Sequence, residues 1–141
     1  MDIKTNNMVT PEIIDSLKAA LSELRIAEME MNRPHEDVVS MSGCYSARHS
    51  LNSLLRTYLM SVNADPNAGK SLRELLDMCV AKDARFSQLN ITDVLCNSIH
   101  HEACDGKYCM SVEKVNECVT AATHAKEIVL EKLKIKESEL N

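Results

Sequence analysis

Aromatic residues are nearly missing from this chain, which has no tryptophan, one phenylalanine and three tyrosines among 141 residues. Glycine and proline are also scarce, at three each. Both shortages disfavour sheets, because strands draw on aromatic and β-branched side chains and need frequent Gly or Pro turns. The core must then be made of Leu, Ile, Val, Met, Ala and Cys on helices. No window reaches the roughly 18 uninterrupted apolar residues of a membrane span, and the N-terminus has no basic start followed by an apolar run. The expectation is a soluble, cytoplasmic protein with no membrane contact. Positive charge is in deficit as well: the formal net charge is -5. That balance argues against a broad polyanion-binding surface but leaves room for a local basic pocket.

One further absence is local. Between Asp37 and Asp65 there is no Asp or Glu, while Arg48, His49 and Arg56 fall in that interval among Ser, Asn and Thr. On a helical wheel His49, Asn52, Ser53 and Arg56 share the polar side and Arg48 lies at the edge of the apolar stripe. A neutral-to-basic face on an acidic protein is the place to look for a phosphate or an acidic partner.

What is present reads as a single domain. Residues 1–9 form a flexible leader, 10–136 a helical bundle, and 137–141 a frayed, mixed-charge tail. Thr10-Pro11-Glu12 starts the first helix: a hydroxyl cap, a proline whose missing N–H costs nothing, and an acid at the positive dipole end. Ile14, Leu17, Leu21, Leu24 and Met31 then recur at steps of three and four, widened by Ile13, Ala20 and Ala27. Arg33-Pro34 ends the helix near Asn32. A second helix covers roughly 37 to 62, with Leu51, Leu54, Leu55, Tyr58, Leu59 and Val62 on its buried side.

Asp65-Pro66-Asn67-Ala68-Gly69 is a turn by its residue types. Ser71-Leu72-Arg73-Glu74 is a capping box that opens a short helix burying Leu72, Leu75, Leu76, Cys79 and Val80 and stopping near Lys82. Phe86 anchors the connection that follows. A helix from Thr92 or Asp93 places Leu95, Cys96, Ile99 and Ala103 inward. The last helix, from Ser111, carries Val112, Val115, Val119, Ala122, Val129 and Leu133, with Cys118, Ala125 and Ile128 alongside. Short loops force neighbouring helices to reverse, so the expected architecture is all-α: an antiparallel up-down four-helix bundle with one additional short helix. The apolar stripe of the first helix, with Met29 and Met31 at its end, makes a homodimer the expected assembly.

The six cysteines are read as reduced thiols, since no cross-link is needed at this length. Three of them crowd CNSIHHEACDGKYC, residues 96–109. Cys96, His100 and Cys104 stand at i, i+4 and i+8, and Cys109 could complete a zinc site by residue type. Structural zinc, however, takes two close ligand pairs from separate segments, and the apolar face already claims Cys96. A Cys96–His100 nucleophilic pair lacks anything to depress the thiol pKa. The sequence therefore calls for no metal and no cofactor.

The same stretch carries a resemblance. Ser46-Ala-Arg-His-Ser-Leu-x-x-Leu-Leu-Arg56, the helix from Ser71 to Cys79, Asp83-x-x-Phe86 and the helix from Ser111 together resemble the HEPN domain, a helical nucleotide-binding domain, from about Cys44 to Leu133. Asn97, Ile99, His101 and Glu102 match an Arg-Asn-x-Ile-x-His-Glu version of that family's Arg-x4-6-His motif position by position, but Cys96 stands in the arginine slot. The resemblance implies a bundle that dimerises across a cleft, contact with a nucleotide or RNA, and, in the family, metal-independent RNA cleavage. It also implies a nucleotidyltransferase as partner protein in a two-component toxin and antitoxin system.

Cleavage through the 2′-hydroxyl needs a proton carrier, which His101 could be, and a permanently charged guanidinium to neutralise the phosphorane. A thiol cannot supply that charge. The expected function is thus a non-catalytic HEPN-like domain binding a nucleotide, RNA or a protein partner through Asn97, His101, Glu102, Arg48, His49 and Arg56. Two alternatives stand beside it. One is a ribonuclease toxin with a relocated arginine, worked by His101, Asn97 and Arg48; the other is a dimeric helical adaptor with no ligand.

Overall fold

The computed structural model describes residues 9–32, 40–68, 71–89 and 112–140, and among these all regular structure is helical, without a strand. Helix α1 spans Pro11–Met31. Its start follows the chemistry of the sequence: Thr10 is extended and its Oγ1 accepts the Ile13 N–H at 3.2 Å, with Pro11 in the first turn beside Glu12. The helix closes where Asn32 donates its N–H to the Glu28 carbonyl.

Helix α2 spans Ser40–Ser61, α3 spans Leu72–Lys82 and α4 spans Val112–Leu133, with single 3-10 turns at Pro66–Ala68, Ala84–Gln88 and Glu137–Leu140. The Ser71 hydroxyl accepts the Glu74 N–H and begins α3. The helix expected from residue 92 lies outside the described residues.

The ends of α2 and α4 are built alike. Asn63 and Lys134 each adopt a left-handed conformation, at φ 65° and 59°. In α2 the N–H of Asn63 donates to Met60 O and that of Ala64 to Leu59 O; in α4 the N–H of Lys134 donates to Glu131 O and that of Ile135 to Leu130 O. Both are Schellman closures, in which two inward bonds satisfy carbonyls that the helix leaves without partners.

Among the described residues helix α2 is central, packing against α1, α3 and α4, while α1 and α4 also touch. Contacts between Ser16 and Thr57, Ala20 and Ser50, and Glu23 and His49 run in opposite directions along the two helices, so α1 and α2 are antiparallel. Their seam is made of small residues. Ala20, Ala27 and Ala47 are fully buried, and so are Ser50 and Thr57. Both hydroxyls are satisfied, one across the seam and one within its helix: Ser50 donates to Ala20 O of α1 at 2.7 Å and Thr57 to Ser53 O at 2.7 Å. Burying a hydroxyl without such a bond would cost roughly 1–3 kcal/mol.

Leucines 17, 21, 24, 51, 54, 55, 59 and 75, with Ile128 and Phe86, fill the centre. Phe86 is 0% exposed and tilts against Tyr58 with ring centroids 4.6 Å apart. The segment that carries Phe86 is fastened to α4. Lys132 Nζ meets Asp83 Oδ2 at 2.7 Å, Arg85 pairs with Glu131, and Asp83 Oδ1 accepts the Arg85 N–H at 2.9 Å.

Three expectations change. Leu72 and Val80 are only partly buried. The stripe on α1 is absorbed by the bundle rather than left over for a partner: Ile13, Leu17, Ala20, Leu21, Leu24 and Ala27 are core, and Met31 is partly buried. What α1 exposes is Ile26 and Met29, the latter 70% exposed. Glu137–Leu140 form a 3-10 turn that is not wholly solvated. Leu140 is 6% exposed, the turn it ends contacts α1, and Glu137 pairs with Lys126 of α4 at 3.1 Å. The turn is also closed by the Lys136 N–H donating to Glu139 Oε1 at 2.8 Å.

Candidate functional site

Three of the six expected ligand-binding residues lie on α2, and the structure describes them. Arg48 and Arg56 are partly exposed and His49 is exposed. Asn97, His101 and Glu102 lie outside the described residues, as do Cys96 and the Cys-His cluster considered for zinc. Among the described residues no three His, Cys, Asp or Glu side chains are grouped to hold a metal ion.

From Tyr45 to Ser61, nearly all of α2 is enclosed or half-enclosed, and only Tyr45 and His49 are exposed. At 100° per residue, Tyr45, His49, Asn52 and Arg56 fall on one strip of the helix, the side away from its core leucines. This strip joins the acid-free stretch of the sequence to the one side of α2 that α1, α3 and α4 leave partly open. On the polar side read from the sequence, His49 is exposed while Asn52, Ser53 and Arg56 are partly exposed rather than fully solvated.

Each member of the strip is held. The Arg56 Nε–H donates to Asn52 Oδ1 at 2.8 Å, one helical turn back, and its Nη1 reaches Pro66 O at 3.5 Å. These contacts orient the guanidinium plane, and a preset fork loses less side-chain entropy when it takes an anion. His49 stacks on Tyr45, with ring centroids 5.8 Å apart and planes 17° from parallel. On the other side of His49, Nδ1 lies 3.9 Å from Glu23 Oε2.

Tyr45 and Glu23 were not singled out from the sequence. The i, i+4 spacing of Tyr45 and His49 on one helix is the signal that points to the ring pair. Glu23 belongs to α1 and becomes relevant only once the two helices are known to be antiparallel.

Two open grooves lie elsewhere. One, of about 390 Å³, is lined by Thr10, Glu12, Ile13, Met60, Asn63 and Asp65 among others. The other, of about 410 Å³, lies between α1 and α4 and includes Glu28, Met31, Val119, His124 and Glu127. Their carboxylates make both poor receivers for an anion. The strip on α2 has the opposite character.

Of the two buried cysteines in the described core, Cys79 and Cys118, the first is not poised for chemistry. Burial pushes the Cys79 thiol up to about 12, and its Sγ–H is turned onto the Leu55 carbonyl at 3.6 Å. Burial also pushes the Tyr58 phenol up to about 12, with Asp83 and Cys79 adding to the rise. Both stay neutral at physiological pH. No helix among the described residues is long and apolar enough to cross a membrane. No protein-family model, curated protein or solved structure matches this chain.

Proposed function

We propose that the chain is a HEPN-like antiparallel four-helix bundle that binds a nucleotide or RNA without cleaving it. The observation that carries this reading is the α2 strip: a guanidinium pre-oriented by Asn52 and Pro66, next to His49, on the acid-free helix of an acidic protein. The resemblance of residues 96–102 to the family motif supports it from the sequence side. Asn97, His101 and Glu102 complete the binding surface in this reading, and the chain acts alongside a nucleotidyltransferase partner as a homodimer, a pairing that rests on the family resemblance and not on the α1 stripe. Cys96 in the arginine slot removes the charge that the cleavage transition state requires.

The test is a titration of labelled RNA and nucleoside triphosphates against wild type, His101→Ala and Arg56→Ala at two salt concentrations. Binding that weakens in both variants and falls with salt supports the reading. Binding indifferent to both substitutions ends it.

The oriented Arg56 fork also favours one second reading, a metal-independent ribonuclease whose arginine has moved to α2. RNA degradation in the presence of a chelator, abolished by His101→Ala and by Arg56→Ala or Arg48→Ala, would establish that reading in place of the first.

A further inference from the structure

The two ends of the α2 strip differ in kind, and the difference names an occupant. At one end is a ring pair: Tyr45 is 62% exposed, and its neighbour His49 is stacked on it with Glu23 Oε2 3.9 Å from Nδ1. At the other end is the oriented guanidinium of Arg56. Eleven residues of α-helix separate them, a rise of about 16 Å. A mononucleotide cannot touch both. A strand rising about 3.4 Å per stacked nucleotide covers the distance with roughly five units, and a more extended one with fewer.

The charges decide which part of the strand lies where. A phosphate beside Glu23 would be repelled, so the Tyr45 end suits a base, whose flat face is neutral. Arg56 has no carboxylate partner among its described contacts, which are to an amide oxygen and a backbone carbonyl. That end suits a phosphate. A base can lie on a ring only when it is unstacked from its partner strand, which rules out a regular duplex.

We infer that the Tyr45–His49 ring pair is a stacking platform for an unpaired base, and that the occupant of α2 is a single nucleic-acid strand of about three to five nucleotides anchored through a phosphate at Arg56. This rests on the binding reading above and deepens it: it selects a strand over a free nucleotide, and single over double.

The experiment measures fluorescence anisotropy of a labelled hexauridylate, a labelled hexathymidylate, a hexamer of abasic units and a twelve-base-pair duplex, with uridine monophosphate as competitor. The proteins are wild type, Tyr45→Ala, Tyr45→Trp and Arg56→Ala, each checked for unchanged helicity and thermal unfolding. Tyr45 is exposed, so its truncation should leave the fold intact. One or both strands should bind wild type, weaken roughly tenfold in Tyr45→Ala, and keep their affinity in Tyr45→Trp. The abasic strand should bind weakly and ignore Tyr45→Ala, and the mononucleotide should compete poorly.

A duplex bound as well as the strands overturns the inference. So does strand binding that falls in Arg56→Ala but is unmoved by Tyr45→Ala, an outcome that leaves the binding reading standing. Absence of any nucleic-acid binding in wild type removes both.

Discussion

Replacing Asp83 with asparagine should cost about 1–2 kcal/mol of stability at pH 7, and the cost should shrink in acid. The carboxylate does two jobs, and asparagine can keep only one. Oδ1 accepts the Arg85 N–H that begins the 3-10 turn, and an amide oxygen can do the same. Oδ2 meets Lys132 Nζ at 2.7 Å, with side chains 23% and 32% exposed respectively. At an effective dielectric of 20, Coulomb attraction at that separation is about 6 kcal/mol before costs. Desolvation of two largely covered charges and up to about 2 kcal/mol of lysine rotamer entropy offset most of it. The remainder lies between the 0–1 kcal/mol of exposed pairs and the 3–5 kcal/mol lost when a buried pair is broken.

Burial alone would raise the Asp83 pKa, but the hydrogen bonds and charges of Lys132 and Arg85 outweigh it and hold the group below the ordinary carboxylate value. A depressed folded pKa means that the carboxylate stabilises the protein fully above the unfolded value near 4 and loses that contribution as pH falls through the lower folded value. Urea unfolding followed by circular dichroism at intervals from pH 7 to pH 3 checks this. The gap between wild type and Asp83→Asn should narrow below about pH 4. A gap that stays constant across the range would show that Asp83 acts through packing rather than charge. Asp83→Ala should lose about a further 1 kcal/mol through the missing acceptor for Arg85.

Phe86→Ala removes the fully enclosed ring against Tyr58 and should destabilise by about 3–5 kcal/mol, read as a large fall in the urea midpoint. Lys134→Gly should stabilise by about 0.5–1 kcal/mol, because lysine at φ 59° carries a steric cost that glycine avoids. Thermal unfolding of the single variant measures it, and a loss would show that the Lys134 side chain has a contact worth more than the backbone relief. Cys79 should resist alkylation in the folded protein at pH 8 and react only after denaturation, since its thiol is held near 12. Site-resolved mass spectrometry after timed iodoacetamide exposure reads this directly.

Helix boundaries were legible wherever the sequence carries a local chemical stop or start. Thr10-Pro11 and Ser71-to-Glu74 mark helix starts by bonds that form within four residues, and the structure makes those bonds. Phe86 stood out as the anchor of its connection because it is the sole phenylalanine. The fate of hydroxyls was not legible. Ser50 and Thr57 read as polar but lie in the α1–α2 seam, since a serine or threonine can satisfy itself on a nearby carbonyl and then pass for a small core residue.

Leu140 misled for the opposite reason: a lone leucine among charges has no periodicity to reveal which surface it finds. On the candidate site, the acid-free interval pointed to the side of α2 that is partly open among the described residues. The ring pair and its Glu23 neighbour depend on helix pairing, which no local pattern encodes.

The central position of α2 has a kinetic consequence. A helix packed by α1, α3 and α4 is constrained on those sides, so on the binding reading proposed above a ligand arriving on its remaining side is met mainly by side-chain rotations. Association should then run in one phase whose rate rises linearly with ligand concentration, without the plateau that a slow conformational step would impose.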